Sequence, residues 1–279
     1  MNKNEWEISS RHRLLDLDFK NIWLFRHLLY QLVTRDVIAF YKQTVLGPLW
    51  FFIQPVFTTA IFTLVFGNFA KVSTQGLPKP LFYMAGIITW GYFSECLNKT
   101  STVFRENTNV FGKVYFPRII VPIGIAISML LRFGIQFLLF LICIGIYHAL
   151  GYKLAISWTV SLFPVLIMLM ALQGLGLGIF ISALTAKYRD LNFLMPFALQ
   201  MLMYSTTVIY PLSTAPAHLR WIVQINPLTA IIETFRYAFL GKGSFSWNAL
   251  GYSTVLTSCL VFLGLMAFQK TEKTFIDTI

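Results

Sequence analysis

The chain has 279 residues, of which 57% are hydrophobic and only 12% are charged, and its formal net charge is +11. A soluble domain carries about 25% charged residues, so this composition excludes a protein whose whole surface faces water. The cations lie between long apolar runs and form no basic patch of the kind that binds nucleic acid. The sequence therefore predicts an integral membrane protein.

Five apolar runs are long enough to cross a bilayer, which takes about 20 residues in a helix. A shorter run, Pro80 to Ser94, continues into Glu95 and fits a sixth crossing. Of the 22 lysines and arginines, 15 fall in segments on the side of the N-terminus, so the positive-inside rule places both termini in the cytoplasm. We predict an all-α integral membrane protein with a cytoplasmic tail at 1–19, an amphipathic interface helix at 20–44 and a transmembrane domain at 45–279. The predicted spans are 49–70, 81–97, 119–147, 159–184, 191–211 and 248–268.

Residues 20–44 show apolar residues at a helical period and cations on the opposite arc, which predicts a helix lying on the membrane. Leu46-Gly47-Pro48 then breaks this helix before the first span. The helix is either a simple membrane anchor or a surface that meets a cytoplasmic partner or an anionic lipid substrate. Under the second interpretation, the substrate entrance comprises Arg35, Tyr41, Lys42, Leu46 and Gly47.

Polar and aromatic side chains form stripes on the first and fifth predicted spans. Such uncharged hydrogen-bonding groups suit a conduit for a neutral, hydroxyl-rich polymer, with aromatic faces for sugar rings. Hydrogen bonding between helices uses the same residue types, so both interpretations stay open. The predicted conduit-lining residues are Trp50, Gln54, Thr58, Gln200, Tyr204 and Thr207.

The connection between the second and third spans, residues 98–118, is longer than the roughly two to six residues that usually join neighbouring helices. It contains a predicted short helix with two phenylalanines on one side, ended by Gly112. Exposed phenylalanines on an ordered helix are typical of a docking site, although packing against the chain's own helices explains the same pattern. The predicted docking residues are Phe104, Arg105, Glu106, Asn109, Phe111 and Lys113.

Two short helices are predicted between the fifth and sixth spans, at 217–225 and 228–240. Asn226-Pro227 begins the second and Gly241 ends it. We interpret them as re-entrant outer helices that form a lid at the external mouth, with an outer gate of Tyr210, Pro211, Glu233 and Arg236. The alternative for the Glu–Arg pair is a purely structural ion pair.

The sequence shows no pattern typical of an enzyme or a metalloprotein. Cys96, Cys143 and Cys259 are scattered and the four histidines lack ligand spacing, so neither disulfides nor metal sites are predicted. No phosphate-binding loop of the Gly-x-x-x-x-Gly-Lys-Ser/Thr type is found, and no set of nucleophile and base. The chain is therefore predicted to bind no cofactor.

An ordered set of short motifs resembles the ABC-2 type permeases that export bacterial polysaccharides, above all the O-antigen and teichoic acid exporter permeases. The similarity covers about residues 30–240. Its motifs are Arg35-Asp36 with Tyr41, Leu46-Gly47-Pro48-Leu49-Trp50 with Pro55, Tyr115-Phe116-Pro117-Arg118 with Pro122, Tyr188-Arg189-Asp190-Leu191, Ile209-Tyr210-Pro211, and Asn226-Pro227 with Arg236.

The resemblance implies a homodimer in the bacterial cytoplasmic (inner) membrane, each subunit bound to a separate ATPase subunit that carries ATP and Mg²⁺. The docking residues would then couple to this ATPase, and the substrate would be a lipid-linked polysaccharide similar to O-antigen. Teichoic acid, capsule or a smaller lipid or drug amphiphile is the alternative substrate class. A passive channel, the alternative from another functional class, leaves the docking segment unexplained.

Overall fold

A computed structural model of the chain describes residues 23–42, 44–107, 111, 116–188, 190–216, 218 and 220–275. The secondary structure of this described part is helical throughout, in agreement with the predicted all-α class. Four of its helices are long and apolar enough to cross a membrane, namely Gly47–Phe69, Ile120–Ala149, Trp158–Lys187 and Trp247–Glu272. They match the first, third, fourth and sixth predicted spans.

We number the α-helices in chain order. They are α1 (Arg26–Tyr41), α2 (Trp50–Phe62), α3 (Lys79–Ser101), α4 (Val103–Glu106), α5 (Ile120–Ala149), α6 (Phe163–Lys187), α7 (Leu191–Tyr204), α8 (Arg220–Ile225), α9 (Pro227–Leu240) and α10 (Trp247–Phe275). Short 3₁₀ turns precede α2 and α6, at Gly47–Leu49 and Trp158–Leu162, and a π-helical segment, Thr63–Phe69, continues α2.

The chain leaves the helical conformation between α1 and α2. The chain becomes extended at Lys42 and turns at Gly47, whose φ of 51° is readily adopted by glycine. Helix α1 packs along the first turns of α5, where a methyl group at Gly124 would lie 3.5 Å from Leu29 Cδ1. Helix α1 therefore packs on the bundle and ends at Tyr41, shortly before the predicted end at residue 44.

Helix α3 lies at the centre of the bundle, where it contacts α2, α5, α6 and α9. It corresponds to the second predicted span and is 23 residues long. Its sequence contains Lys79, Glu95 and Lys99, and many of its side chains are fully buried. Because neighbouring helices enclose α3, it needs little apolar surface toward lipid.

Glycines let α6 approach its neighbours on two sides. A Cβ atom at Gly174 would lie 2.7 Å from Cys96 Cβ in α3, and one at Gly176 would lie 2.9 Å from Val261 N in α10. Small residues allow this close packing in membrane bundles, where buried apolar area gives little driving force. Helix α6 thus joins the central helix to the last one.

Two short helices, α8 and α9, lie close to the positions predicted for the pair between the last two spans, whereas α7 is shorter than the fifth predicted span. Asn226 accepts a hydrogen bond from Leu228 N at 3.1 Å and begins α9, and Gly241 ends it with a φ of 68°. Helix α9 is buried inside the bundle, where its Phe235 and Phe239 rings pack against aromatic rings of α5 and α6. By contrast, α7 is only 14 residues long and ends at Tyr204, short of the predicted residue 211.

Candidate functional site

The predicted docking segment is folded against the chain, so the expectation of exposed phenylalanines is wrong. Phe104 and Phe111 are only 1% and 5% exposed. The Phe104 ring lies 4.6 Å from Phe268 of α10 and 6.0 Å from Phe111, which itself contacts Phe116. We call these four rings the aromatic anchor. The anchor is buried because α4 follows α3 directly and lies under α6 and α10.

The exposed part of α4 is charged. Arg105 and Glu106 are exposed and lie 3.7 Å apart across an ion pair. The other two predicted docking residues, Asn109 and Lys113, lie outside the described residues. Beside the anchor, buried Arg118 donates to Glu272 O at 2.9 Å, which ties the chain before α5 to the C-terminal turns of α10. Helix α4 and the segment before α5 therefore both contact the C-terminal part of α10.

A cleft of about 670 Å³ opens beside α4 and brings two predicted groups of residues together. Arg35 of the predicted entrance lines it, and so do Arg105 and Glu106 of the docking segment. Polar and charged groups form much of the remaining wall, namely Asp36, Asn98, Lys99, Ser101, Thr102, Asn107 and Asn192. Arg35 pairs with Asp36 at 2.9 Å. Such a lining suits an anionic or strongly polar group.

The other entrance residues lie where α1 turns into α2. Lys42 and Leu46 are exposed, Gly47 forms the turn, and the side chain of Tyr41 lies outside the described part. Among the entrance side chains that the structure describes, Arg35 is the one that lines the cleft. Arg35 therefore lines the cleft, whereas the other entrance residues lie about two helical turns or more further along the chain, where α1 turns into α2.

The predicted conduit residues of α2 lie toward the outside of the subunit. Trp50 and Gln54 are exposed and Thr58 is partly exposed. The hydroxyl group of Thr58 donates to Gln54 O at 2.9 Å within the helix. The Gln54 side chain accepts a hydrogen bond from Arg132 of α5, which the sequence analysis did not predict.

The predicted stripe of the fifth span is only partly correct. Gln200 and Tyr204 are exposed on α7, and Gln200 Nε2 donates to the Tyr204 hydroxyl at 3.4 Å. Thr207 does not share this face, because α7 ends at Tyr204 and Thr207 is fully buried. Its carbonyl oxygen instead accepts a hydrogen bond from Arg236. Thr207 therefore lies with Arg236 of α9 and not on the exposed stripe of α7.

The Glu233–Arg236 pair is a buried clamp among the outer segments. Arg236 Nη1 lies 3.5 Å from Glu233 Oε1, and both side chains are at most 2% exposed. Arg236 Nη2 donates to Val208 O at 2.8 Å, and its guanidinium lies over the Phe82 ring of α3. Glu233 accepts from the backbone nitrogen atoms of Leu212 and Ser244. The geometry agrees with the structural interpretation of this pair, because the clamp fixes both chain segments around α9.

Tyr210 and Pro211 directly precede Leu212, whose backbone nitrogen donates to Glu233. The Tyr210 hydroxyl donates to Tyr204 O at 2.9 Å, which links the outer segment to the end of α7. Pro211 O accepts from Thr214 N in the following 3₁₀ turn. Tyr210 also lines an outer cavity of about 300 Å³ with Val72, Ser73, Thr214 and Pro216. Of the two residues, Tyr210 lines this cavity, whereas Pro211 is buried.

Sequence reasoning missed one charged cluster inside the bundle. Arg132 Nη1 of α5 lies 3.1 Å from Glu95 Oε1 of α3, and Nη2 donates to Gln54 Oε1 of α2. The sequence contains a sign of this cluster, because Arg132 interrupts the apolar run of the third predicted span and Glu95 borders that of the second. Their proximity depends on the packing of three helices, which no local pattern reveals.

Known proteins of one family are similar to this chain along most of its length. The ABC-2 type transporter family matches residues 27–240. The O-antigen export system permease protein RfbA of Myxococcus xanthus is 26% identical over 93% of this chain and 98% of its own length. A protein of the same name from Klebsiella pneumoniae is 24% identical, over 92% and 96%. The polysialic acid transport protein KpsM of Escherichia coli is 23% identical, over 88% and 94%. Because the family match spans most of the chain, the protein belongs to the ABC-2 type transporter family.

Proposed function

We propose that this chain is the permease subunit of an ATP-driven exporter that moves a lipid-linked polysaccharide out of the cytoplasm. The observation that carries the proposal is the end-to-end similarity to polysaccharide export permeases, which covers at least 94% of the three relatives described above. An O-antigen-like polysaccharide is favoured, because the O-antigen permeases are 24–26% identical to this chain. The KpsM similarity, at 23%, makes a capsular polysaccharide the second candidate substrate.

The proposed topology has six crossings of the bacterial inner membrane, with both termini in the cytoplasm. Four of them are the long apolar helices. Helix α3 supplies the second, supported by its 23 residues and central position. The fifth consists of α7 and the apolar chain that follows it to Pro211, with α8 and α9 as re-entrant outer helices.

The proposed conduit lies between two copies of the chain. Helices α2 and α7 each combine exposed apolar residues with the exposed polar residues Trp50, Gln54, Gln200 and Tyr204. Such a mixed surface is costly against lipid but suits a hydrated path shared with a second subunit. Tyr210 and Pro211 then border the outer gate, and the Glu233–Arg236 clamp holds their frame.

The proposed contact with the ATPase subunit is the charged surface of α4, together with Asn109 and Lys113. Arg105 and Glu106 offer both signs of charge to a partner. The aromatic anchor beneath them supports a mechanical route from the ATPase to α10 and α6. ATP and Mg²⁺ would bind the partner subunit, and this chain would contribute no catalytic residue.

The proposed substrate entrance is the cleft beside α4. A lipid-linked glycan carries phosphate at the cytoplasmic surface. The cleft wall holds three cations, Arg35, Lys99 and Arg105, against the two carboxylates of Asp36 and Glu106, so positive charge is in excess. Each juxtamembrane cation contributes about 1 kcal/mol of attraction for an anionic lipid. The ATPase contact and the entrance would share the same cleft, so the substrate would bind directly beside α4.

Deletion of the gene in its source organism tests the proposed function. We expect the surface polysaccharide to disappear while its lipid-linked form accumulates on the cytoplasmic side, and a plasmid copy should restore export. Normal surface polysaccharide in the deletion strain would contradict the proposal. Loss of a lipid or drug efflux activity with unchanged polysaccharide would favour the smaller amphiphile instead.

A further inference from the structure

The cluster of Gln54, Glu95 and Arg132 joins three helices within the apolar part of the bundle. Gln54 is seven residues into the span that begins at Gly47, and Glu95 is six residues before the end of α3 at Ser101. At 1.5 Å per residue, both lie about 10 Å along their helices from the cytoplasmic ends. We call this group the polar triad. It lies deeper than the cleft at the membrane surface.

The polar triad differs from the Glu233–Arg236 clamp in its exposure. The clamp is closed, because its side chains are at most 2% exposed and hydrogen-bond to the surrounding backbone. In the triad, the Glu95 side chain is 33% exposed and the Arg132 side chain 13%, and Gln54 is exposed as well. A charged pair open on one side at this depth is unfavourable against hydrocarbon, so its open side faces water or polar ligand.

The triad also retains hydrogen-bonding capacity. Its contacts with Arg132 engage Oε1 of Glu95 and Oε1 of Gln54. A carboxylate has a second acceptor oxygen, and a glutamine amide has two N–H donors. The second carboxylate oxygen of Glu95 and the amide donors of Gln54 therefore lie near each other, beside the exposed face of α2 that carries the predicted conduit residues.

The charges of the triad select the class of ligand. Glu95 disfavours a phosphate and Arg132 disfavours a cation, so the neutral pair favours a neutral group that both donates and accepts hydrogen bonds. Trp50 is exposed one helical turn before Gln54 and offers a flat face for a sugar ring. This combination matches the hydroxyl groups and ring faces of a glycan.

We propose that Gln54, Glu95 and Arg132 form a binding subsite for glycan hydroxyl groups within the membrane, with Trp50 as its stacking face. The proposal rests on the proposed function, since the glycan is the exported chain. It assigns Glu95 and Arg132 a role in holding the polymer inside the conduit, beyond the phosphate attraction at the entrance.

The test uses the chain purified together with its co-purifying ATPase in nanodiscs, with lipid-linked polysaccharide extracted from the source cells as the probe. The measurement is the polysaccharide concentration that gives half-maximal stimulation of ATP hydrolysis. We expect Glu95→Gln and Gln54→Leu each to raise this concentration about tenfold, as the loss of one or two hydrogen bonds predicts. Ser258→Leu, a polar-to-apolar change on the exposed face of α10, serves as the matched control and should behave like the wild type.

The thermal unfolding midpoint separates binding from a purely structural role. If Glu95→Gln lowers the midpoint or prevents assembly, Gln54→Leu decides, because this variant loses the hydrogen bond from Arg132 but keeps the ion pair between Arg132 and Glu95. An unchanged half-maximal concentration in an assembled Gln54→Leu complex would overturn the subsite. A wild-type complex that does not respond to the polysaccharide would overturn the proposed function itself, which distinguishes the two failures.

Discussion

The phenyl ring of Phe104 in α4 lies 4.6 Å from the ring of Phe268 in α10, measured between centroids. This contact joins residues that are far apart in sequence and connects α4 with α10. Phe111 and Phe116 complete the aromatic anchor, and Arg118 binds the same end of α10 through Glu272. The anchor makes α4 a rigid part of the bundle.

Replacing Phe104 by Ala should therefore destabilise the subunit. Removing a buried phenyl ring leaves a cavity, and such changes cost about 3 kcal/mol or more in well-packed cores. We expect a lower thermal unfolding midpoint in detergent. Phe262→Ala is the control. It removes an exposed ring from α10, the helix that Phe104 contacts, and should have a small effect. Equal midpoints for Phe104→Ala and the wild type would contradict the anchor.

Replacing Arg105 and Glu106 by Ala should weaken the contact with the ATPase without destabilising the bundle. Both side chains are exposed, and their mutual ion pair at 3.7 Å contributes little to stability. We expect less ATPase to co-purify at an unchanged unfolding midpoint. Lys153→Ala changes an exposed cation on the opposite side of the membrane in the proposed topology and should retain the ATPase. Full retention in the double variant would remove α4 from the interface.

The sequence did not predict that Phe104 is buried while Arg105 and Glu106, in the same helix, are exposed. A short helix with two phenylalanines fits both a docking surface and an internal anchor, because the sequence does not reveal which helix covers it. By contrast, Asn226-Pro227 and Gly241 predicted both ends of α9, since capping depends on neighbouring residues alone. The end of α7 at Tyr204 was missed because the run from 191 to 211 remains apolar beyond the point where the helix stops.

Arg35→Gln should raise the concentration of lipid-linked polysaccharide that half-maximally stimulates ATP hydrolysis. Losing about 1 kcal/mol of attraction corresponds to a change of about fivefold. Lys42→Gln should raise it less, because Arg35 lines the cleft whereas Lys42 lies at the turn beyond α1. Titrations of both variants and of their combination measure the two contributions. An unchanged value for the double variant would reduce these cations to ordinary membrane anchors.

Gly86→Ala should disturb the outer clamp. A Cβ atom at residue 86 would lie 2.7 Å from Arg236 Nη2 and 2.9 Å from Val208 O. Alanine favours helix over glycine, so any loss of stability reflects this clash, which we expect to cost about 1–3 kcal/mol. Gly145→Ala adds the same methyl group to α5 in open space and is the matched control. Comparable unfolding midpoints for the two variants would show that the clamp tolerates displacement.

Reconstitution tests the central claim most directly. The chain and its co-purifying ATPase are placed in proteoliposomes with their nucleotide-binding side outward, and lipid-linked polysaccharide is supplied to the outer leaflet. We predict that Mg²⁺-ATP protects the glycan from an externally added glycosidase as the glycan moves into the lumen, and that vesicles without this chain show no protection. Unchanged digestion with an actively hydrolysing complex would contradict the account.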